Sequence, residues 1–302
     1  SMEERPIYIV DAFTHSPFSG NPAAVCILEK ALNPEAMQQI AKEMNLSETA
    51  FVYPLEENRF SLRWFTPTVE VPLCGHATMA TSYAIITKTK LVSVESPLIF
   101  ETLSGDLTVI PLPQQSVNEP LLLEMNFPLG NPKPLHSVSE PYTDLLQALG
   151  APLDSKILDI QFCANTRKLL LIFEELQSIL SLSPVASKLL EITLPGVDIR
   201  GIICSTRSTT GTEYSAYDMV SRYFSPWNGI PEDPVTGSAH TVLGPYWQKV
   251  LNKKEEEELK AFQASPGRGG EISLRINNKE NRIFLCGTAT VVVSGSIRLP
   301  KV

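Results

Sequence analysis

The sequence predicts an α+β protein of two similar domains, each a mostly antiparallel sheet or barrel wrapped around a central helix. Two observations indicate this fold class. A strand, a proline, a glycine and an apolar helix occur twice in the same order, as RWFTP at 63–67 with GHAT at 75–78, and as RYFSP at 222–226 with GSAH at 237–240. The helix after each glycine is apolar on nearly every side, and such a helix belongs in the interior of a domain.

The length of 302 residues suits two domains of ordinary size, and a hydrophobic content of 43% is enough to fill both cores. We predict an N-terminal domain over residues 1–120 and a C-terminal domain over residues 121–289. Prolines at six positions from 111 to 134 mark the crossing between them. Residues 290–302 include an alternating strand, which we expect to return to the N-terminal domain and cover an open sheet edge.

The composition argues against several classes of protein. The chain has 25 Lys and Arg against 33 Asp and Glu, a net charge of −8, and it lacks a basic run with interleaved aromatics, so nucleic acid is not an expected partner. We find no apolar run long enough for a membrane span and no signal-type segment. Five cysteines without C-x-x-C spacing argue against a disulfide framework and a structural zinc. A reduced cytoplasmic protein without a bound metal is expected.

The first helix leads to a candidate catalytic carboxylate. Asn33 is a helix-capping residue type, Pro34 suits the first helical position, and apolar residues then recur every three or four positions up to Met44. We predict that this helix ends near Asn45 and that residues after 48 form a strand. Ser47 and Glu48 then lie on a connection held between two packed elements.

A glutamate in that position is suited to proton transfer. Burial would raise the pKa of Glu48 toward the working pH, as a group requires if it is to take a proton from carbon and return it. The alternative is an exposed glutamate near a helix end.

The remaining elements follow from periodicity and turn residues. Strands are predicted at 7–13, 60–65, 168–173 and 201–205, and helices up to about 88, at 142–149, at about 174–190 with a break at Pro184, and at 239–250. The stretch 252–260, with four consecutive glutamates, is predicted to be a solvated helix end or loop. Residues 268–270 are predicted to form a hairpin turn.

The repeat also bears on the ligand. The spacing from arginine to glycine is 12 residues in the first copy and 15 in the second, which we interpret as a short insertion carrying Glu232 and Asp233. Two helix N-termini facing one cleft would expose backbone N–H groups and a partial positive charge. A small anion such as a carboxylate is therefore the expected partner.

Four segments together resemble the PhzF family of phenazine-biosynthesis-like isomerases: the Gly20-Asn21-Pro22 turn and residues 45–51, 74–78 and 232–239. The likeness covers essentially the whole chain and is especially close to the animal members. It implies the diaminopimelate epimerase fold, a ligand between the two domains and no cofactor. A homodimer is compatible with it.

The resemblance also implies site residues. Glu48, Asp233 and His76 are the implied catalytic residues, and the implied substrate-binding residues are Ser47, Gly75, Gly237 and Ser238. For His76 a turn histidine without a catalytic role is the alternative, and for Asp233 it is an N-terminal helix cap. His15, His136 and His240 are interpreted as structural.

Three functions remain open. Epimerases of this fold that need no cofactor use two opposed thiols; Cys74 matches the first, but we place Val235 at the second, and a valine cannot transfer a proton. Glu48 acting alone fits an isomerase that returns the proton on the same face, with Cys74 a small buried residue. The alternatives are a thiol-dependent racemase or epimerase using Cys74, and a ligand- or protein-binding protein without turnover.

Overall fold

The computed structural model describes residues 3–136 and 142–301, and over these residues the chain forms eighteen strands and six α-helices. In chain order the strands are β1 (Glu4–Ala12), β2 (Asn21–Ile27), β3 (Glu48–Glu56), β4 (Arg59–Phe65), β5 (Glu70–Val71), β6 (Leu98–Thr102), β7 (Gly105–Pro111), β8 (Leu123–Pro128), β9 (Lys133–Pro134), β10 (Ile157–Cys163), β11 (Lys168–Phe173), β12 (Gly201–Arg207), β13 (Met219–Ser225), β14 (Ile230–Asp233), β15 (Leu259–Gln263), β16 (Gly270–Asn277), β17 (Arg282–Gly287) and β18 (Ala289–Arg298). The helices are α1 (Pro34–Met44), α2 (Gly75–Lys88), α3 (Thr143–Ala148), α4 (Leu176–Leu180), α5 (Ala186–Leu190) and α6 (Gly237–Val250).

The described chain divides into two compact units. Unit 1 contains the residues up to Asn126 and those from Phe284 onward, and unit 2 is Phe127–Ile283. In unit 1, β1 pairs antiparallel with both β18 and β2, and β2 runs parallel to β3. Strands β3 and β4 form a hairpin, β4 runs parallel to β6, and β6 pairs antiparallel with β7.

Unit 2 repeats this order of pairings. The hairpin β10–β11 is followed by the parallel pair β11–β12, the hairpin β12–β13, the parallel pair β13–β15 and the hairpin β15–β16. In unit 1 α2 connects the second parallel pair, and in unit 2 α6 does so. The predicted duplication and the α+β class are thus confirmed.

Helix α1 begins and ends where the sequence predicts. The Asn33 Oδ1 atom accepts a hydrogen bond from the Glu35 N–H at 2.7 Å, and Pro34 occupies the first turn. Asn45 adopts a left-handed conformation with φ of 53° and ends the helix. The buried face, which includes Met37 and Ile40, packs with Phe51 in one apolar core.

Helices α2 and α6 are buried on nearly all sides. The hydroxyls of Thr78, Thr81 and Ser82 are buried in α2, and each donates to the carbonyl four residues earlier, which satisfies these groups inside an apolar environment. In α6, a Cβ atom at Gly244 would lie 2.6 Å from Ile283 Cδ1, so the glycine permits close packing there.

In two stretches the observed secondary structure differs from the predicted one. The predicted helical region 174–190 is two short helices, α4 and α5. The predicted loop or helix end at 252–260 gives way to strand β15 at Leu259, because Leu259, Ala261 and Gln263 alternate onto a buried face. No helix among the described residues is long and apolar enough to cross a membrane.

In each unit, a glutamate holds an arginine on the last long strand before the central helix through two hydrogen bonds. Arg63 on β4 donates to both carboxylate oxygens of Glu70 at 2.6 and 2.7 Å. Arg222 on β13 donates to Glu232 at 2.9 and 2.6 Å. The two glutamates therefore occupy equivalent positions, each five residues before the glycine that begins the central helix.

This equivalence corrects the placement of the predicted insertion. Glu232 and Asp233 are not inserted residues, since EVPLCGHA at 70–77 aligns without a gap with EDPVTGSA at 232–239. The three additional residues lie between the arginine and the glutamate, where unit 2 has a short 3₁₀ helix, Pro226–Asn228, closed by Gly229 in a left-handed conformation.

The two arginine pairs are predicted to differ in their contribution to stability. The Arg222 side chain is 2% exposed and also donates to the carbonyls of Ile179 and Leu182, whereas Arg63 is 30% exposed. Arg222→Met should lower the free energy of unfolding by about 3–5 kcal/mol, because it leaves a carboxylate and two carbonyls without their donor. Arg63→Met should cost about 1 kcal/mol or less. Urea denaturation of both variants checks this, and equal losses would contradict it.

Candidate active site

The Glu48 carboxylate lies at the start of β3 and is 5% exposed. Its Cα is paired with that of Ala23 in the parallel register of β2 and β3. The left-handed turn at Asn45 delivers the chain into this strand within three residues of the end of α1. The interpretation of Glu48 as an exposed glutamate at a helix end is therefore wrong.

The His76 ring contacts the residue that precedes Glu48 in the chain. Its Nε2 atom is 3.4 Å from the Ser47 hydroxyl, and its Nδ1 atom is 3.2 Å from the Cys74 sulfur. The ring also bonds to the backbone of Pro22, which has only a carbonyl to offer, so the ring is the donor. His76 thus links the residue before Glu48, the residue before α2 and the Gly20-Asn21-Pro22 turn.

His76 is neutral at physiological pH. Burial lowers its pKa from 6.5 to about 4, and the hydrogen bond to Pro22 opposes this only in part. A neutral imidazole that donates from one nitrogen has an acceptor at the other. The ring is therefore suited to hydrogen bonding and orientation near Glu48, without adding positive charge.

Local contacts fix the backbone of the turn that leads into β2 and contains the residues just before Pro22. Gly20 has φ of +66°, and a Cβ atom there would lie 2.2 Å from the Ala12 carbonyl oxygen. The buried Asp11 carboxylate accepts a hydrogen bond from the Phe18 N–H at 2.8 Å. These contacts fix the backbone whose carbonyl holds the His76 ring.

Gly75 and His76 are the first residues of α2, and Gly237 and Ser238 are the first residues of α6. The backbone N–H groups in the first turn of a helix have no partner within the helix. Gly75 and Ser238 are partly exposed, so the first turns of the two helices are accessible to solvent. Each first turn is a candidate anion-binding site within its own unit.

Asp233 ends β14 and is 6% exposed. Its Oδ2 atom accepts a hydrogen bond from the Thr236 hydroxyl at 2.6 Å. The fully buried Gln263 side chain donates to the Asp233 carbonyl at 2.8 Å and accepts from the Thr236 N–H at 2.8 Å. The residue at the N-cap position of α6 is Thr236, and Asp233 precedes it by three residues.

The placement of Val235 opposite Cys74 is wrong by one residue. Cys74 is the N-cap residue of α2 and Thr236 is the N-cap residue of α6, so Thr236 is the equivalent of Cys74, and Val235 is equivalent to Leu73. A threonine hydroxyl is not a thiol, and this one donates to Asp233. The chain therefore still lacks a second thiol at that position.

Sequence reasoning missed three buried polar residues of unit 2, namely Gln263, Lys168 and Tyr223. Each lies in a strand, where nothing in the local pattern distinguishes a buried polar side chain from an exposed one. Of the three, only Tyr223 lies in a repeated motif, RYFSP at 222–226, so only its position could have been singled out from the sequence. His240 is fully buried, with Nδ1 2.6 Å from the Thr236 carbonyl, which fits the structural interpretation.

The sequence was compared with protein-family models, with curated proteins and with solved structures, and the matches agree on one family. Residues 10–295 match the family described as phenazine biosynthesis-like protein, PhzC-PhzF. A phenazine biosynthesis-like domain-containing protein of Rattus norvegicus is 43% identical over 305 residues, covering 97% of this chain and 98% of the relative. An uncharacterized isomerase of Halalkalibacterium halodurans is 41% identical over 298 residues, covering 99% of this chain and all of the relative.

A solved structure is also similar. The PhzF-family phenazine biosynthesis protein of Enterococcus faecalis superposes with a TM-score of 0.82 at 36% sequence identity. The match covers 98% of this chain and all of that one.

The two buried histidines are predicted to remain neutral well below pH 6.5. His76 and His240 each have a pKa of about 4 in the folded state because of burial. The unfolded chain takes up these protons first, so stability is complete above pH 6.5 and falls as the pH drops toward 4, by up to about 3 kcal/mol for each ring. Nitrogen NMR of the imidazoles, assigned with His76→Gln and His240→Gln, measures the two midpoints. Midpoints near 6.5 would contradict the assignment.

Proposed function

The chain belongs to the PhzC-PhzF family of phenazine biosynthesis-like proteins, and on this basis we propose that it is an isomerase that moves a proton on a small carboxylate substrate without a cofactor, with Glu48 as acid and base. Its fold is α+β and diaminopimelate epimerase-like. The family and the 41% identical uncharacterized isomerase of Halalkalibacterium halodurans support an isomerase role.

The burial of Glu48 is the observation that carries the proposal. Glu48 is 5% exposed at the start of β3, so its side chain is largely shielded from water. Such a group takes a proton from an acidified C–H bond of the substrate and returns it to another carbon of the same molecule. One base suffices for this, because the proton that leaves is the proton that comes back.

Ser47, Gly75 and His76 are the proposed partners of Glu48 in unit 1. The neutral His76 ring, held by the Pro22 carbonyl, lies 3.4 Å from the hydroxyl of Ser47, the residue that precedes Glu48. The first turn of α2 offers N–H groups to the substrate carboxylate, which is favoured there by the helix dipole. Charge that develops on the substrate during proton removal is stabilised by the same donors.

Asp233 remains a predicted catalytic residue of unit 2, and Gly237 and Ser238 remain predicted substrate-binding residues. Asp233 is buried and accepts from Thr236, and Gly237 and Ser238 open α6, which supports a role in binding. A cytoplasmic location and a homodimer likewise remain predictions.

A thiol-dependent epimerase is the second candidate. The contact of 3.2 Å between Cys74 Sγ and His76 Nδ1 favours it, because an imidazole acceptor activates a thiol. Two observations oppose it: the His76 pKa of about 4 makes the ring a weak base, and the equivalent residue in unit 2 is Thr236. A binding protein without turnover is the third candidate.

Glu48→Gln is predicted to reduce turnover by about 10²-fold or more, the usual scale for losing a general acid or base, while leaving the fold intact. The amide keeps the shape of the side chain but cannot accept and return a proton. The measurement is hydrogen exchange into a panel of small carboxylic acids in deuterated water, followed by NMR. Glu56→Gln, at the exposed end of the same strand, removes the same charge and should have no effect.

The outcomes distinguish the three candidates. Cys74→Ala should cost much less than Glu48→Gln, whereas the thiol mechanism requires the reverse order. Exchange that persists unchanged in Glu48→Gln would disprove the role of Glu48. No exchange in any protein, with ligand still bound, would favour the binding-only function.

A further inference from the structure

We propose that Trp64 is a positioning residue for Glu48, and that its indole N–H is the hydrogen-bond donor that the Glu48 carboxylate takes up when it is ionised. The proposal rests on the proposed function for the role of Glu48 as a base. The placement of the two side chains follows from the register of the β3–β4 hairpin and from the repeat.

Glu48 and Trp64 are neighbours on one face of this hairpin. Ala50 on β3 is opposite Trp64 on β4, and Glu48 precedes Ala50 by two residues. Side chains two positions apart in a strand lie on the same face, and diagonal neighbours across an antiparallel pair are about 7–8 Å apart, within reach of an aromatic side chain. Both side chains are buried, Trp64 to 1% exposure.

The face that carries Glu48 and Trp64 is turned toward the central helix. Phe51 and Phe65, which alternate with them along the two strands, belong to the apolar core that includes α1. On the other side of the sheet, α2 packs against β1, β2 and β3. The Trp64 ring therefore lies in the interior that α2 fills.

The repeat shows how far a ring at this position extends. In unit 2, Tyr223 is opposite Ile203, as Trp64 is opposite its partner in unit 1, and Gly201 precedes Ile203 by two residues. Gly201 therefore corresponds to Glu48. A Cβ atom at Gly201 would lie 2.1 Å from the Tyr223 hydroxyl and 2.6 Å from its Cζ atom. By the same register, we place the larger Trp64 ring alongside the Glu48 side chain.

The indole N–H of Trp64 is a buried donor without an acceptor. Its Nε1 atom has no hydrogen-bond partner among the residues that the structure describes. Burying such a group is unfavourable, because the N–H loses its hydrogen bond to water and gains none. A phenylalanine would fill much of the same space without this cost. By contrast, the buried Trp247 of unit 2 donates from Nε1 to the Ser205 hydroxyl at 3.1 Å.

A neutral donor suits a base that must change its charge during the reaction. Glu48 is a carboxylate before it takes the proton and a carboxylic acid before it returns it. Desolvation disfavours the carboxylate, and a hydrogen bond donated to the charged form offsets part of that penalty. The indole N–H carries no charge and does not titrate, so it stabilises the carboxylate less strongly than a cation would and leaves it able to accept a proton.

The charges at this end of the neighbouring elements are accounted for elsewhere. Ala23 and Val25, opposite Glu48 and Ala50 on β2, are apolar. Arg63 lies on the other face of β4, opposite Phe51. The titratable groups besides Glu48 are Asp11 on β1, which accepts from the Phe18 N–H, Glu70 on β5, which is bonded to Arg63, and Cys74 and the neutral His76 at the start of α2.

The test uses the intact chain with isotopically labelled indole nitrogens and glutamate carboxyls, followed by NMR. The Trp64 signal is the one absent in Trp64→Phe, and the Glu48 signal is the one absent in Glu48→Gln. The Trp64 N–H signal should shift with the same midpoint as the Glu48 carboxyl, because the hydrogen bond forms when that carboxyl loses its proton. The shift should vanish in Glu48→Gln and persist in His76→Gln.

Trp64→Phe should raise the pKa of Glu48 by about one unit or more, since the charged form loses a donor. Trp247→Phe is the matched control, because it removes the other buried indole N–H and should leave the Glu48 titration unchanged. Should Trp64→Phe not fold, Trp227→Phe and Trp247→Phe identify the Trp64 signal by elimination, and the titration of the unaltered chain decides.

A Trp64 N–H signal that does not follow Glu48, or that shifts equally in Glu48→Gln, would overturn the proposal. An unchanged or lowered Glu48 pKa in Trp64→Phe would also overturn it, since the ring would then act only as a shield from water or not at all. These measurements need no turnover. A failure of Glu48 as the catalytic base, seen in the exchange experiment, is therefore distinguishable from a failure of the Trp64 contact.

Discussion

The arginine–glutamate pair that each unit repeats is the interaction on which the rest of the site depends. Arg63 and Glu70, and Arg222 and Glu232, each join the last long strand before the central helix to the short strand that leads into it. Two parallel hydrogen bonds fix both the distance and the angle between these strands. Because the glutamate lies five residues before the first glycine of the helix in both units, the pair sets where each helix begins. The buried pair of unit 2 constrains the start of α6 more strongly than the partly exposed pair of unit 1 constrains the start of α2.

The central helices restrict where polar chemistry can occur. Most of their buried side chains are apolar or, like those of Thr78 and Ser82, donate to carbonyls of the same helix, so the body of each helix offers little to a ligand. The free N–H groups of the first turn are the exception. In unit 1 the first turn itself supplies His76, which contacts Ser47, the residue before Glu48, and in unit 2 Asp233 lies three residues before the N-cap of α6. Because the interior is tightly packed, the candidate reactive groups lie near the N-terminal end of the central helix in each unit.

Much of this architecture was predictable from the sequence. The cap at Asn33, the end of α1 at Asn45 and the repeated strand–proline–glycine–helix order all depend on local chemistry, and they were predicted correctly. The glutamate partner of each arginine was not predicted. The two copies were compared by their arginines, and three additional residues separate Arg222 from Glu232 in the second copy. The equivalent of Cys74 was placed one residue too early, at Val235, although the N-cap residue of α6 is Thr236. Lys168 and Gln263 were missed for a different reason: their burial depends on pairings with distant strands, such as Lys168 with Gly201, that a local pattern does not contain.

The two copies have diverged at the positions that matter for chemistry. In unit 1, Ala23 is paired with Glu48 and Trp64 with Val71. At the equivalent positions of unit 2, Lys168 is paired with Gly201 and Tyr223 with Asp233. At these four registers unit 1 therefore has one carboxylate, Glu48, and unit 2 has a cation, Lys168, and a carboxylate, Asp233. The backbone pairings of the repeat are kept while the charges at matched positions differ, so the two copies do not supply the same base. The proposed return of the proton by a single residue, Glu48, needs no such matched pair of bases.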